Sequence, residues 1–131
     1  MLYVVHDRPD VISESLFTRA CDHGFNQAFG LMHQNDLHVD IHFIDEKGEG
    51  GGTIDTRQEE DAILVEINKH QSVNNILLTL FHEIKHVITI THQLYGHANQ
   101  YKTIYGITII SMHCVTNILI AMVRFMQHRQ S

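Results

Sequence analysis

The sequence predicts an α+β fold with an N-terminal helix, a small antiparallel sheet, a long central helix and further C-terminal helices. Three patterns predict it. Apolar residues recur at helical spacing from Ser72 to Tyr95, alternate with polar residues from Leu37 to Asp45, and dominate an uncharged run from Thr103 to Val123. With 131 residues, 44% of them hydrophobic and 18% charged, we expect a single domain covering residues 1–131.

The N-terminal third is predicted to form a short strand followed by a helix. Leu2–Val5 is expected to form a short strand or else a tethered end, and Pro9 and Asp10 open a helix that runs to about Met32. Gly24 is expected to weaken this helix, and His23 and His33 are expected to face solvent. The predicted inner face consists of Ile12, Leu16, Phe17, Ala20, Cys21, Phe25, Ala28 and Leu31.

The middle of the chain is predicted to supply the sheet. Leu37–Asp45 alternates as a half-buried strand does, a flexible glycine-rich connection follows, and Thr53–Thr56 and Ile63–Asn68 give two more strands. In the first of these strands His38, Asp40 and His42 share one side. A second metal site there is conceivable, but a solvated polar face is the preferred interpretation.

The central helix carries an H-E-x-x-H motif, formed by His82, Glu83 and His86. Ser72 is a good N-cap residue, and no helix breaker stands between Val73 and Tyr95. Residues four apart lie on one helix face, so the two imidazoles can bind one metal ion while Glu83 contacts a metal-bound water. This is the arrangement that a zinc hydrolase needs. Because the chain contains 12 histidines, the motif could also arise by chance on an ordinary core helix.

A third metal ligand must come from histidine or cysteine if it follows the motif, because no Asp or Glu occurs after Glu83. His92 would require an early turn at Thr89, where β-branched residues make it costly. His97 follows Gly96 and would require the helix to end near Thr91. We prefer His97 over His92. The other downstream side chains of the right chemistry are His113, Cys114 and His128.

Around the motif, the sequence resembles the SprT-like zinc metallopeptidases, which have a zincin fold. The similar stretches are Gly51-Gly52-Thr53-Ile54-Asp55, Ile63-Leu64-Val65-Glu66-Ile67-Asn68, Leu78-Thr79-Leu80-Phe81-His82-Glu83-Ile84-Lys85-His86 and His97-Ala98-Asn99-Gln100-Tyr101. The resemblance covers about residues 35–105; Ala98 stands where the family has glycine, and Tyr101 where it has another aromatic residue. It implies a zincin-like domain without a zinc ribbon, and an edge strand that pairs with an extended substrate.

The expected function is therefore zinc-dependent hydrolysis of peptide bonds in a protein or peptide substrate. His82, His86 and His97 would bind Zn²⁺, and Glu83 would act as the general base. A tyrosine, with Tyr101 as the candidate beside Tyr95 and Tyr105, would stabilise the oxyanion. The alternative is a non-catalytic zincin-fold binding module in which the metal is structural or absent.

The charge and the cysteine content of the chain indicate which partners and which cellular compartment to expect. The formal net charge is −6 and Lys and Arg form no dense patch, so nucleic acid is not an expected partner. Cys21 and Cys114 make no disulfide framework and the N-terminus lacks the features of a signal peptide, so we expect a cytoplasmic protein.

The uncharged C-terminal run allows two interpretations. Its length matches a membrane span, yet Ser111, His113 and Asn117 are costly in lipid. We therefore expect a packed helix, buried under the site or at the seam of a homo-oligomer, rather than a membrane-anchored protein with a chance motif.

Overall fold

Four strands and three helices make up the described part of this computed structural model, which covers residues 1–27, 37–45, 53–58, 62–94 and 109–129. In chain order they are β1 (Leu2–His6), α1 (Glu14–Gln27), β2 (His38–Ile44), β3 (Thr53–Gln58), β4 (Ile63–Asn68), α2 (Val73–Leu94) and α3 (Ile109–His128). The predicted α+β class is confirmed, and so are the positions of the four predicted strands.

The direction of the strands differs from the prediction. The sheet has the order β1-β2-β4-β3, in which β1, β2 and β4 are parallel and only β3 runs antiparallel, at the edge beside β4. The predicted antiparallel sheet is therefore wrong. For β1 and β2 the physical reason is the connection through α1, because a helix between two paired strands returns the chain to its starting end. β2 and β4 are parallel because β3 comes between them in the sequence and is antiparallel to β4, so the chain reverses its direction twice.

One face of the sheet carries the hydrophobic core. Val39, Ile41 and Phe43 of β2 are buried, as are the alternate residues of β4, whereas their neighbours on the other face are partly exposed. Buried side chains of α1, α2 and α3 join these strand residues in one apolar cluster. The three helices therefore lie on one side of the sheet, and the histidines of β2 lie on the other.

Helix α1 begins later than predicted. The Ile12 amide donates to the Pro9 carbonyl at 3.3 Å in a turn. The Leu16 amide donates to the Ser13 hydroxyl at 3.1 Å, which makes Ser13 the N-cap. Proline favours this turn as much as a first helical turn, because its fixed φ suits both. The predicted end near Met32 lies outside the described residues, as does His33.

The contact of α1 with α2 and α3 corrects two expectations. His23 does not simply face solvent: its Nε2 lies 3.0 Å from the Ala121 carbonyl oxygen, and its ring contacts Phe81 and Phe125. Gly24 does more than weaken the helix. A Cβ at this position would lie 2.5 Å from Ile84 Cδ1, so the glycine permits the close approach of the two helices.

Helix α3 has one buried side and one exposed side in this chain. Ile118, Ala121 and Phe125 join the core, while Leu119, Ile120 and Val123 are exposed. The predicted packing of this helix is thus confirmed for its inner side. Within the described ranges, none of the helices combines the length and the apolarity needed to cross a membrane. The predicted seam of a homo-oligomer stays a prediction.

Candidate metal centre on helix α2

Helix α2 has the start and the course that the sequence predicts up to the motif. The Asn75 amide donates to the Ser72 hydroxyl at 3.2 Å, and the Ile76 amide donates to the Ser72 carbonyl at 2.9 Å. Ser72 is therefore the N-cap. The helix then continues without a break through Leu94.

The packing of α2 decides which motif side chains reach solvent. Phe81, Ile84 and Val87 are buried against the sheet and the other helices. His82 and His86 lie on the opposite side, with 54% and 45% of their side chains exposed, whereas the Glu83 side chain is only 3% exposed. The buried stripe therefore holds the helix so that two imidazoles are accessible beside an enclosed carboxylate.

The distance between the two imidazoles matches what one bound ion requires. The Nε2 atoms of His82 and His86 are 3.3 Å apart. Two nitrogens about 2.05 Å from one tetrahedral ion are themselves about 3.3 Å apart. The pair therefore already has the spacing of two ligands in a tetrahedral zinc site.

Glu83 lies between the two histidines. Its Oε2 is 3.6 Å from His82 Nε2 and 3.8 Å from His86 Nε2. These three side chains form one of the two groups of potential metal ligands found among the described residues. A carboxylate so close to both nitrogens can accept a hydrogen bond from a water molecule that an ion holds there.

The protonation of His86 favours metal binding. Partial burial lowers the pKa of His86 below its ordinary value; the nearby Glu83 carboxylate raises it in part, and Lys85 and His82 lower it further. Only the neutral imidazole binds a metal ion. His86 therefore keeps its metal-binding form to a lower pH than an exposed histidine does.

The third ligand is the part of the site where the helix departs from the prediction. The helix end near Thr91 that a His97 ligand requires is not found, because α2 continues through Leu94, and the early turn at Thr89 that a His92 ligand requires is absent as well. Within this continuous helix the Thr89 and Thr91 hydroxyls donate to the Lys85 and Val87 carbonyls. Position 92 consequently lies about 600° after position 86, which is 240° around the helix axis.

His97 and the three candidate tyrosines, Tyr95, Tyr101 and Tyr105, lie outside the described residues. The end of the described helix limits how His97 can reach the site. Leu94 is eight residues beyond His86, or about 12 Å along the axis, and three further residues span at most about 11 Å. A His97 ligand therefore requires the chain to turn back towards His86 directly after Leu94.

The position of α3 shows which of the other candidate third ligands, Cys114 or His128, could lie near the motif. Arg129 donates to the Asn74 side chain, so the end of α3 lies beside the start of α2 and His128 is remote from His86. Position 114 lies one helical turn before Ile118, which contacts the groove beside His82. Cys114 thus occupies a more favourable position on the backbone than His128.

A groove beside the motif was not predicted. It has a volume of about 220 Å³ and lies between α2 and α3. Its lining is mostly apolar: Leu78, Phe81, His82, Lys85, Ile118, Leu119 and Met122. The sequence feature that could have indicated the groove is the uncharged run of α3. The groove itself forms only where that helix packs beside the motif.

Comparison with protein-family models, with curated proteins and with solved structures found no match to this chain. The resemblance to SprT-like metallopeptidases therefore stays a prediction from short motifs. The function of the chain must be inferred from the geometry of α2 and of the elements packed against it.

Proposed function

We propose that this chain is a zinc-dependent peptidase whose metal is held by His82 and His86. The 3.3 Å separation of their Nε2 atoms carries the proposal, because it equals the separation of two ligands in a tetrahedral zinc site. A hydrogen bond between the two imidazoles gives the same distance in the metal-free chain, so the second observation that supports the proposal is the buried Glu83 carboxylate, whose Oε2 lies 3.6 and 3.8 Å from the two nitrogens. The exposed positions of both rings support access for a substrate.

Glu83 is the proposed general base. Zinc, when bound, lowers the pKa of a coordinated water to about 7 and polarises the scissile carbonyl. Glu83 Oε2 accepts the proton of the attacking water and then delivers it to the nitrogen of the leaving amine. Its burial between the two imidazoles holds the carboxylate at the reacting side of the site.

A peptide is the proposed substrate because of the strand that lies next to α2. β3 is antiparallel to β4 and forms the edge of the described sheet, and α2 packs against both strands. The outer side of an edge strand can pair with an extended peptide through backbone hydrogen bonds. The groove beside His82 can accept an apolar side chain of that peptide. The H-E-x-x-H helix that follows a sheet and packs beside its antiparallel edge strand is the feature that supports a zincin-like fold of the SprT-like type.

Zinc analysis tests the metal site. We expect the site on α2 to contribute about one tightly bound zinc per chain in protein purified without a histidine tag. His82→Ala and His86→Ala should each weaken zinc affinity by at least about 100-fold, since each removes a direct ligand. The matched control is His70→Ala, because His70 is an exposed histidine whose imidazole contacts the Asp45 carboxylate. Unchanged affinity in both motif variants would refute the site.

A second comparison tests the third ligand, for which we propose His97. The zinc affinity of His97→Ala should fall by orders of magnitude, whereas that of His92→Ala should scarcely change, because position 92 lies about 240° around a continuous helix from position 86. Competition with a chromophoric chelator measures both. A large loss confined to His92→Ala, or to Cys114→Ala, would contradict the assignment.

A further inference from the structure

The face of the sheet away from the helices carries a second group of metal-binding side chains. Parallel pairing of β1 with β2 places His6 opposite His42 and Val4 opposite Asp40. The rings of His6 and His42 stack, with centroids 4.1 Å apart and planes inclined by 13°. His6 and His42 are far apart in the sequence, but the pairing of the two strands makes them neighbours on one surface.

Asp40 completes the group. Its Oδ1 lies 3.5 Å from His6 Nε2 and 3.4 Å from His38 Nε2. One ligand atom from each of His6, Asp40 and His42 lies within 4.8 Å of the other two. All three residues are partly exposed, so an ion can enter from solvent without opening the core.

We propose that His6, Asp40 and His42 form a second site for a divalent transition metal, with Zn²⁺ as the expected ion. Two imidazole nitrogens with one carboxylate oxygen suit zinc and its first-row neighbours, whereas Mg²⁺ prefers a shell of oxygen ligands. The proposal is independent of the peptidase function, because no residue is shared with the motif on α2.

Binding requires one local adjustment. The lone pairs of an imidazole lie in the plane of its ring, and the two planes are stacked and inclined by only 13°, so the rings must turn about their side-chain torsions before both face one ion. These terminal torsions have broad energy wells, and both residues are partly exposed, which leaves them room to turn. Asp40 already contacts His6 and needs no comparable change.

The ion would act as a clamp on the edge of the sheet. In the described sheet, β1 lies at the edge and pairs only with β2. The proposed ligands come from both strands, so a bound ion ties β1 to β2 in addition to the backbone hydrogen bonds. Since the unfolded chain has no preformed site, metal binding stabilises the folded state.

The test uses the full chain with His82→Ala and His86→Ala, which removes the ligands proposed on α2. Both residues are exposed on a helix, where alanine is well tolerated. In this double variant we expect one zinc per chain in equilibrium dialysis. We also expect Zn²⁺, but not an equal concentration of Mg²⁺, to raise the melting temperature by a few degrees.

Further substitutions in that double variant identify the ligands. His6→Ala, Asp40→Asn and His42→Ala should each reduce zinc affinity by at least about 10-fold and abolish the rise in melting temperature. His70→Ala, another exposed histidine in contact with an aspartate, should change neither. Absence of zinc binding in the double variant, or equal zinc binding after His42→Ala, would overturn the proposal without bearing on the peptidase.

Discussion

Replacing Glu83 with glutamine is expected to leave zinc in place and to slow peptide hydrolysis by at least about 100-fold. Glutamine keeps the size and shape of glutamate, which matters because this side chain is buried beneath the two imidazoles. Its amide cannot take the proton of the attacking water. The rate constant kcat/KM on a fluorogenic peptide, measured with zinc content on the same samples, gives the result.

Glu14→Gln is the matched control for this substitution. Glu14 is exposed in the first turn of α1, so the same chemical change there should leave hydrolysis as it was. If Glu83→Gln hydrolyses the peptide as fast as the natural chain, Glu83 is not the base. If the natural chain binds peptides but cleaves none, the alternative of a non-catalytic binding module replaces the peptidase.

A carboxylate introduced at Ile118 should unfold the protein or nearly so. Ile118 is 4% exposed, while Ile120, two residues along the same helix, is 44% exposed. An ionised carboxylate buried without a partner costs several kcal/mol, which approaches the whole stability of about 5–15 kcal/mol typical of a small domain. We expect Ile118→Asp to lose its cooperative urea transition and Ile120→Asp to change stability by less than about 0.5 kcal/mol.

These two variants examine how α3 packs beside the motif. Circular dichroism during urea denaturation distinguishes a lost transition from a shifted one. Equal stability of Ile118→Asp and the natural chain would mean that this side of α3 faces solvent, contrary to the structure. A large loss in Ile120→Asp would instead indicate that the exposed side of α3 is covered, for example by a second chain.

Local sequence patterns predicted those elements that depend on local physics. β4 has the predicted bounds, Ile63–Asn68, because it is a β-branched run with regular alternation. The start of α2 was equally predictable, since Ser72 is a strong N-cap before an amphipathic stretch. The spacing of His82 and His86 followed from the helix alone.

Errors arose where the outcome depends on distant parts of the chain. The sheet was predicted antiparallel because strand patterns carry no direction. The parallel pairing of β1 with β2 follows from the connection through α1, and that of β2 with β4 from the edge strand β3 between them in the sequence. His23 looks like an ordinary surface residue in sequence, yet α3 supplies the Ala121 carbonyl that contacts it. Gly24 likewise shows its role only when Ile84 packs against it.

The outer face of the sheet illustrates the same limit. The alternation of β2 predicted that His38, Asp40 and His42 share a side, and the structure confirms it. It did not predict that His6 joins them, because that requires the register between β1 and β2. Taken alone, β2 has a polar face that looks merely solvated. When β1 pairs with it, His6 joins Asp40 and His42 in a group of potential metal ligands.

Zinc titration of chelator-treated protein, with peptide cleavage as the readout, tests the central claim most directly. The His42→Ala variant is the appropriate protein, because it lacks a ligand of the site proposed on the outer face while His82, Glu83 and His86 remain. We predict that cleavage rises in proportion to added zinc up to one equivalent per chain and then stays constant. Cleavage by the metal-free protein, or no cleavage with one zinc bound, would contradict the proposed zinc peptidase.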